Sequence, residues 1–194
     1  MDKSCPLCRK PQPPGPEKLF DQAVAMLREA ADQGHMVAQA GCGNLYRFDR
    51  GVAQDDRLAF VYHEKAAQQG ERGAQFNTGV NYREGLGCEQ SFERAAEWFQ
   101  KAALQGHASA QHSLGYAYKL GRGVPQSDEK AFELYSQSAA QGNHHGQNSL
   151  ALCYKHGRGC KQSYERAVEL YRRSVAQGNM AAQYNLAVSE TRLM

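Results

Sequence analysis

Apolar residues along most of the chain recur with the spacing of amphipathic α-helices, and two such patterns alternate. In the first pattern, Ala110, Leu114 and Tyr118 follow one another at four-residue steps, and the stripe ends near Gly121. The second pattern ends at a Gln-Gly dipeptide and comprises Ala95, Trp98, Phe99, Ala102 and Ala103. No segment shows the period-two alternation of a half-buried strand. The patterns therefore predict an all-α chain.

The alternation itself is periodic. The dipeptide Gln-Gly recurs at intervals of 36 residues, at 33–34, 69–70, 105–106, 141–142 and 177–178. A fixed period of about 20–50 residues is typical of solenoids, in which each unit buries its apolar face only against its neighbours. We predict an α-solenoid of stacked antiparallel helix pairs over residues 17–194. It has about ten helices, from roughly 17–32 to 180–191, in four full repeats with a half-repeat at each end.

Capping and small residues occur in the same register. Good N-cap residues precede each second-pattern helix, at Asp55, Ser91, Ser127 and Ser163. Small residues mark one position of the first pattern, at Gly43, Gly79, Gly115, Ala151 and Ala187. We expect the large residues of another column to face them, namely Tyr46, Tyr82, Tyr118 and Tyr154. Small positions opposite large ones let two helices approach closely.

Composition narrows the class of protein and of partner. The formal net charge of +3 is too small to indicate a nucleic-acid partner. No apolar run reaches the roughly 18 residues of a membrane helix, and residues 1–10 lack the apolar core of a signal peptide. We therefore expect no membrane association, a cytoplasmic or nuclear location, and reduced cysteines. Five of the six prolines fall within residues 1–16, which predicts a disordered, Pro-rich tail there.

The repeated residues resemble the Sel-one-like repeat (SLR) family of α-solenoids, relatives of the tetratricopeptide repeats. The family pattern A-Q-x-x-L-G-x-x-Y-x-x-G-x-G-V matches residues 110–124, and A-x-x-W-Y-x-K-A-A-x-Q-G matches residues 95–106 with Phe99 for tyrosine. The sequence departs from the pattern at Asp49, Cys88, Cys160 and Glu190. The resemblance implies a tetratricopeptide-like, right-handed superhelix that serves as an adaptor or scaffold. It implies no catalytic residue, and so no enzyme and no cofactor.

A separate motif stands in the tail. Cys5 and Cys8 have the Cys-x-x-Cys spacing that chelates one zinc ion with two thiolates. The string Cys5-Pro6-Leu7-Cys8-Arg9 also resembles the end of a RING finger, where it supplies the last two zinc ligands. Six further ligands would be needed, so zinc is expected only if the finger is complete in a longer parent chain. The alternatives are a remnant of a RING–SLR ubiquitin ligase and a chance pair of thiols in a flexible tail.

The remaining cysteines and histidines are better explained as packing residues than as metal ligands or catalytic groups. Cys153, His156 and Cys160, with His144 and His145 nearby, would be a possible metal cluster. Cys160 and Cys153 occupy repeat positions that hold apolar residues elsewhere, however, and cysteine packs as a small apolar residue. Cys42 occupies a leucine position. The sequence contains no catalytic triad pattern and no phosphate-binding loop.

A candidate partner-binding surface follows the first-pattern helices, which by analogy with tetratricopeptide arrays line the concave face. A basic column directly follows the repeat tyrosines and consists of Arg47, Arg83, Lys119 and Lys155, to which the turns add Arg50, Arg122 and Arg158. Beside it lie variable columns, one with Phe76, His112, Asn148 and Tyr184 and another with Asn44, Val80, Tyr116 and Leu152. A line of cations favours carboxylates or phosphates. The alternative is that these cations simply suit the helix dipole and its free carbonyls.

These observations predict a non-enzymatic scaffold that binds a peptide or protein partner, acidic or phosphorylated, on the concave face. The alternative is the substrate-binding part of a RING-type ubiquitin ligase whose zinc finger is truncated here.

Overall fold

The computed structural model describes residues 15–48 and 52–190, and these form ten α-helices and no strand. In chain order the helices are α1 (Pro16–Asp32), α2 (Met36–Arg47), α3 (Asp56–Gln68), α4 (Arg72–Glu84), α5 (Phe92–Leu104), α6 (Ala108–Leu120), α7 (Asp128–Ala140), α8 (His144–His156), α9 (Tyr164–Val175) and α10 (Met180–Glu190). Each helix packs on the next one in the chain. The predicted all-α solenoid of stacked helix pairs is confirmed.

The helix ends follow the predicted capping residues. The carboxylate of Asp55 accepts a hydrogen bond from the backbone N–H of Leu58 at 2.9 Å, and the hydroxyl of Ser91 accepts one from Arg94 at 3.2 Å. Ser127 and Ser163 cap α7 and α9 in the same way. Pro16 is the first residue of α1. Its missing backbone N–H does not weaken the helix there, because the first N–H groups of a helix have no partner within it.

Within each helix pair, small residues let the two helices approach closely, but the facing residues differ from the expectation. If Gly79 carried a Cβ, that atom would lie only 2.7 Å from the ring of Phe99. A Cβ on Gly115 would likewise lie 2.8 Å from the ring of Tyr135. The ring of His63 covers Gly43. The large partners therefore come from the second helix of each pair, and the proposal that the repeat tyrosines face these glycines was wrong.

The repeat tyrosines instead contact a second-helix cation, and Tyr82 and Tyr154 also meet an aromatic ring of the preceding pair edge-on. The guanidinium of Arg94 stacks over Tyr82 at 5.2 Å, and the ring of Phe60 meets Tyr82 edge-on at 5.2 Å. Lys130 over Tyr118 and Arg166 over Tyr154 repeat the cation–π contact. A bulky side chain at this position thus joins consecutive pairs.

The Gln-Gly period has a structural cause. The amide of Gln105 donates to the side-chain oxygen of Gln75 at 2.8 Å and to the carbonyl of Gly70 at 3.1 Å. Gln75 in turn donates to the carbonyl of Ala67. Equivalent glutamine pairs recur along the stack, namely Gln69 with Gln39, Gln141 with Gln111, and Gln177 with Gln147. The glutamine–glutamine bonds join the two helices of one pair, and the bonds to the carbonyls of Gly70 and Ala67 tie that pair to the one before it.

The cysteines inside the repeats pack as predicted. Cys42 and Cys153 are buried, and Cys160 packs against the same cluster as Cys153. Burial raises the pKa of the Cys153 thiol to about 11, so this thiol is protonated at neutral pH. Within the described ranges, no group of three or more His, Cys, Asp or Glu side chains is arranged to hold a metal ion. Cys5 and Cys8 lie outside the described residues.

None of the helices in residues 15–48 and 52–190 combines the length and the apolar character that crossing a membrane requires.

Candidate partner-binding surface

The first helices of consecutive pairs form one continuous surface. Helix α6 contacts α8, and α8 contacts α10, directly and without an intervening second helix. Such contacts are expected on the inner side of a curved stack. We call this the first-helix surface; it consists of α2, α4, α6, α8 and α10.

The basic column on this surface is not uniform. Arg47 is half-buried and donates to the side-chain oxygen of Asn81 at 3.1 Å. Arg83 forms an ion pair with Glu84 at 2.7 Å, and its own side chain is 35% exposed. Lys119 is partly exposed, whereas Lys155 is buried with 8% exposure. Equal spacing in the sequence therefore does not give four equally accessible cations, and Arg50 lies outside the described residues.

A cavity of about 350 Å³ opens between α4, α6 and α8. Its lining combines an aromatic ring, a cation and several neutral hydrogen-bonding groups: Phe76, Arg83, Ser109, His112, Ser113, Asn143 and His145. Three of these residues, Phe76, Arg83 and His112, are among the predicted site residues. The cavity can thus offer stacking, hydrogen bonds and one positive charge to a ligand.

His112 lies at the centre of this cavity wall. Its Nε2 lies 3.1 Å from the hydroxyl of Ser149, and its ring stacks on His145 with centroids 5.6 Å apart. Burial, together with the nearby charges of His145, Arg83, His144 and Lys119, lowers the pKa of His112 to about 4. His112 is therefore a neutral hydrogen-bonding group at pH 7, and Arg83 lines the same cavity.

The other predicted residues have different surroundings. Phe76 stacks on His107 at 4.8 Å. The amide of Asn148 accepts a hydrogen bond from Asn185 at 3.3 Å, which links α8 to α10. Tyr116 and Tyr184 are 43% and 74% exposed, whereas Val80 is buried. The variable columns thus contain both packing residues and free aromatic rings.

Two clefts one repeat apart each bring two cations together. The Arg83 cleft, of about 30 Å³, has Arg83 and Arg122 at its sides and Phe99, Tyr116 and Ala117 among its other lining residues. The Lys119 cleft, of about 150 Å³, has Lys119 and Arg158 at its sides, with Tyr135, Leu152 and Cys153 at the equivalent positions. Asp128 also lines the Lys119 cleft. In each case, one cation ends a first helix and the other comes from the turn of the next pair.

The turn cation is placed by a glycine that admits no side chain. Gly123 has φ = +72°, and a Cβ there would overlap the carbonyl oxygen of Phe92 at the start of α5. Gly159 has the same relation to Asp128 at the start of α7. The turn can therefore lie directly on the preceding pair, which holds Arg122 beside Arg83 and Arg158 beside Lys119.

The carbonyls at the ends of the first helices are capped by other groups. The amide of Gln90 donates to the carbonyl of Arg83 at 2.6 Å, Gln126 to that of Lys119 at 3.1 Å, and Gln162 to that of Lys155 at 2.7 Å. Glycines in the left-handed conformation complete the ends of α4, α6 and α8. Direct capping of carbonyls is thus supplied without the column cations, although their charges still suit the helix dipole.

Sequence reasoning added Arg122 and Arg158 to the basic column but did not pair them with Arg83 and Lys119 in clefts. It also did not place Ser109, Asn143 and His145 in the cavity. Arg122 follows Arg83 by one period plus three residues. The Gly-Arg-Gly turns at 121–123 and 157–159 were visible in the sequence, and comparison with Gly85-Leu86-Gly87 shows that the middle residue varies. The variation of this middle residue between repeats was the sequence signal that could have marked it as a candidate binding position.

Comparison with protein families matches the chain to the Sel1 repeat over residues 14–35, 37–71, 73–107, 108–143 and 144–179. No curated protein sequence matches the chain.

Solved structures share this architecture. A Sel1 repeat protein from Oxalobacter formigenes is 28% identical, with a TM-score of 0.81 over 88% of this chain and 72% of that one. The protein c5321 of uropathogenic Escherichia coli, a protective antigen displaying an SLR fold, is 33% identical with a TM-score of 0.62. That alignment covers 85% of this chain but only 43% of c5321. Helicobacter pylori cysteine rich protein B, at 19% identity and a TM-score of 0.53, shares the fold alone.

Proposed function

We propose, since the chain belongs to the Sel1 repeat family, that it is a non-enzymatic interaction scaffold whose first-helix surface binds a peptide or protein partner. The partner segment is acidic or phosphorylated. It lies across α4, α6 and α8, where Arg83, Lys119, Phe76, His112 and Tyr116 face it.

The observation that carries this proposal is the open cavity of about 350 Å³ between α4, α6 and α8. Its aromatic and hydrogen-bonding lining is of the kind that recognises side chains and backbone of a peptide. Its one charged lining residue is the cation Arg83, and His112 is neutral, so the cavity suits an anionic segment. The buried thiols supply no activated nucleophile.

The test is affinity capture from cell lysate, with quantitative mass spectrometry of the proteins retained by the wild type and by Arg83→Glu/Lys119→Glu. We expect the specific partners of the wild type to be lost from the variant, because two attractive charges become repulsive. Binding should also weaken with added salt, since exposed charges are screened over about 8 Å at physiological ionic strength.

A matched control carries the same charge change away from this surface. Arg57 lies exposed on α3 and Lys161 lies exposed in the turn before α9, so Arg57→Glu/Lys161→Glu reverses two charges elsewhere. Retention of the same partners by Arg83→Glu/Lys119→Glu, or their equal loss from the control, would show that the first-helix surface does not bind them. Circular dichroism and thermal unfolding check that both variants fold.

A second candidate function is the substrate-binding part of a RING-type ubiquitin ligase. It is supported by the spacing and flanking residues of Cys5 and Cys8, which lie outside the described residues. Sequencing the transcript upstream of Met1 tests it: six further in-frame Cys or His ligands at RING spacing support the ligase, and their absence removes it.

A further inference from the structure

We propose that the Arg83 cleft and the Lys119 cleft are paired subsites for two acidic side chains of one extended peptide, spaced about three residues apart. This rests on the proposed function and goes beyond it, because it assigns the recognition to the turn cations Arg122 and Arg158 and fixes the spacing of the ligand's charges.

The first step is that Arg83 and Lys119 lack the hydrogen-bond partner that Arg47 has. Arg47 donates to Asn81 on the next first helix. One repeat later, the residue equivalent to Asn81 is Ala117, and two repeats later it is Cys153. Neither can accept a strong hydrogen bond from the column cation beside it, so toward the next first helix Arg83 and Lys119 border open clefts.

The second step concerns charge. Arg122 and Arg158 are exposed, and with Lys119 they form no ion pair with any residue in 15–48 or 52–190. Lys119 and Arg158 line one cleft together with Cys153. Asp128 offsets one charge in the Lys119 cleft, as Glu84 does beside Arg83. Each cleft therefore keeps an excess of one positive charge.

The third step is the spacing. The two clefts are equivalent places in consecutive pairs. On this surface α6 contacts α8 directly, and α4 and α6 line the same cavity. Packed helices lie about 8–10 Å apart, and an extended chain rises about 3.3 Å per residue, so one step spans about three residues. A peptide crossing the first helices at right angles can then place acidic residues i and i+3 in the two clefts.

The clefts differ in volume, and this difference predicts which of them contributes more to the affinity for the peptide. The Lys119 cleft holds about 150 Å³, enough to enclose a carboxylate, whereas the Arg83 cleft holds about 30 Å³ and can meet one only at its mouth. We expect the charge in the Lys119 cleft to contribute more to affinity, because a charge-assisted hydrogen bond strengthens as water is excluded.

The experiment selects a phage-displayed library of random 12-residue peptides on the full chain and measures the affinity of the selected peptides by fluorescence anisotropy. We expect enrichment of acidic pairs at spacing i, i+3 over pairs at i, i+1. Arg122→Ala/Arg158→Ala should weaken these peptides about tenfold or more, and Arg158→Ala alone more than Arg122→Ala alone. The charge-matched Arg57→Ala/Lys161→Ala should leave their affinity unchanged.

A variant that is expected to bind more tightly tests whether the weaker binding of the other variants results only from loss of folding. Asp128→Asn removes the carboxylate from the Lys119 cleft and should tighten the same peptides severalfold. An unchanged or weakened affinity would contradict the inference, as would equal effects of the turn variant and its control.

The outcomes separate the two proposals. Peptides that depend on Arg83 and Lys119 but show no i, i+3 preference and no dependence on Arg122 and Arg158 overturn this inference and leave the proposed function standing. Selected peptides insensitive to every one of these variants, or a selection without binders, overturn both.

Discussion

Two regions of the stack use the same repeat positions for opposite purposes. At the first junction, where α2 and α3 meet α4, the amide oxygen of Asn44 lies 3.2 Å from His63 Nε2 and accepts from Asn77 at 3.2 Å, while Asn81 holds Arg47. One and two pairs later, Phe99 and Tyr135 replace His63, and Ala117 and Cys153 replace Asn81. There the column cations border open clefts.

The difference teaches that the period fixes where a side chain lies but not whether it is free. Arg47 and Lys119 follow equivalent tyrosines at equivalent helix ends. One is engaged inside the protein, and the other faces a cleft of about 150 Å³. Where the neighbouring helix carries a small residue such as Ala117 or Cys153 in place of Asn81, the cation beside it borders an open cleft.

The turn that places Arg122 provides the largest expected effect. Gly123→Ala should destabilise the chain by about 2–5 kcal/mol, since a left-handed residue with a Cβ costs about 1–2 kcal/mol and the overlap with Phe92 adds about 1–3 kcal/mol. The control is Gly106→Ala, where φ is +78° but nothing lies within 4 Å of the added Cβ. Urea unfolding should show a much smaller loss for Gly106→Ala; equal losses would mean that the turn does not rest on α5.

Lowering the pH should destabilise the protein at the first junction, because His63 is buried there. Burial, with a smaller contribution from the charge of Arg47, lowers the pKa of His63 from an ordinary 6.5 to about 4. The unfolded chain therefore takes up a proton between pH 6.5 and 4 that the folded chain does not, and stability falls with pH across that window by up to about 3 kcal/mol.

The measurement is the thermal midpoint of wild type and His63→Phe between pH 7.5 and 4, phenylalanine being the residue at the equivalent position of the next pair, Phe99. His112 titrates in the same window and should keep its share in both proteins. The variant should lose less stability than the wild type as the pH falls, and parallel curves would remove His63 as the cause.

Packing in the later pairs is tested at Gly115. A side chain there would bring Cβ within 2.8 Å of the Tyr135 ring and 3.3 Å of the Ala131 carbonyl oxygen, so Gly115→Val should cost about 1–3 kcal/mol through overpacking. Lys119→Ala, four residues on at the cleft, should stay within about 0.5 kcal/mol. Similar shifts of the urea midpoint for both variants would place Lys119 in the core.

Ala117→Asn should have only a small effect on stability, and it is the sharpest test of the comparison. It supplies Arg83 with the partner that Asn81 gives Arg47, so stability should change by less than about 1 kcal/mol while binding of selected acidic peptides weakens. Fluorescence anisotropy with Ala117→Ser as the matched polar control decides it. If both variants bind like the wild type, the availability of Arg83 does not depend on its neighbour.

Much of the fold could be predicted because its determinants are local and repeated. The 36-residue register of Gln-Gly, the serine caps and the small-residue columns each mark a helix end or face, and the helix bounds follow them closely. The partner of Gly79 was mispredicted because the repeat tyrosines and the column that contains Phe99 are both made of large residues in register. A one-dimensional pattern does not say which of the two columns packs on the glycines.

The candidate site was predicted less completely, for a related reason. The column of Arg47, Arg83, Lys119 and Lys155 was visible as a period, but the exposure of each member depends on residues a full repeat away, such as Asn81 beside Arg47. The cavity residues Asn143 and His145 come from the start of α8, far in sequence from Phe76 and Arg83.

What the sequence by itself determined is therefore the architecture: helices, their ends, their pairing and the period at which they stack, all of which depend on contacts between residues close together or exactly one unit apart. Only the tertiary structure decided which cations are free, because that depends on how the turn of one pair lies on the preceding pair. Gly123 permits that approach, Arg122 reaches Arg83 through it, and Ala117 leaves the space between them open.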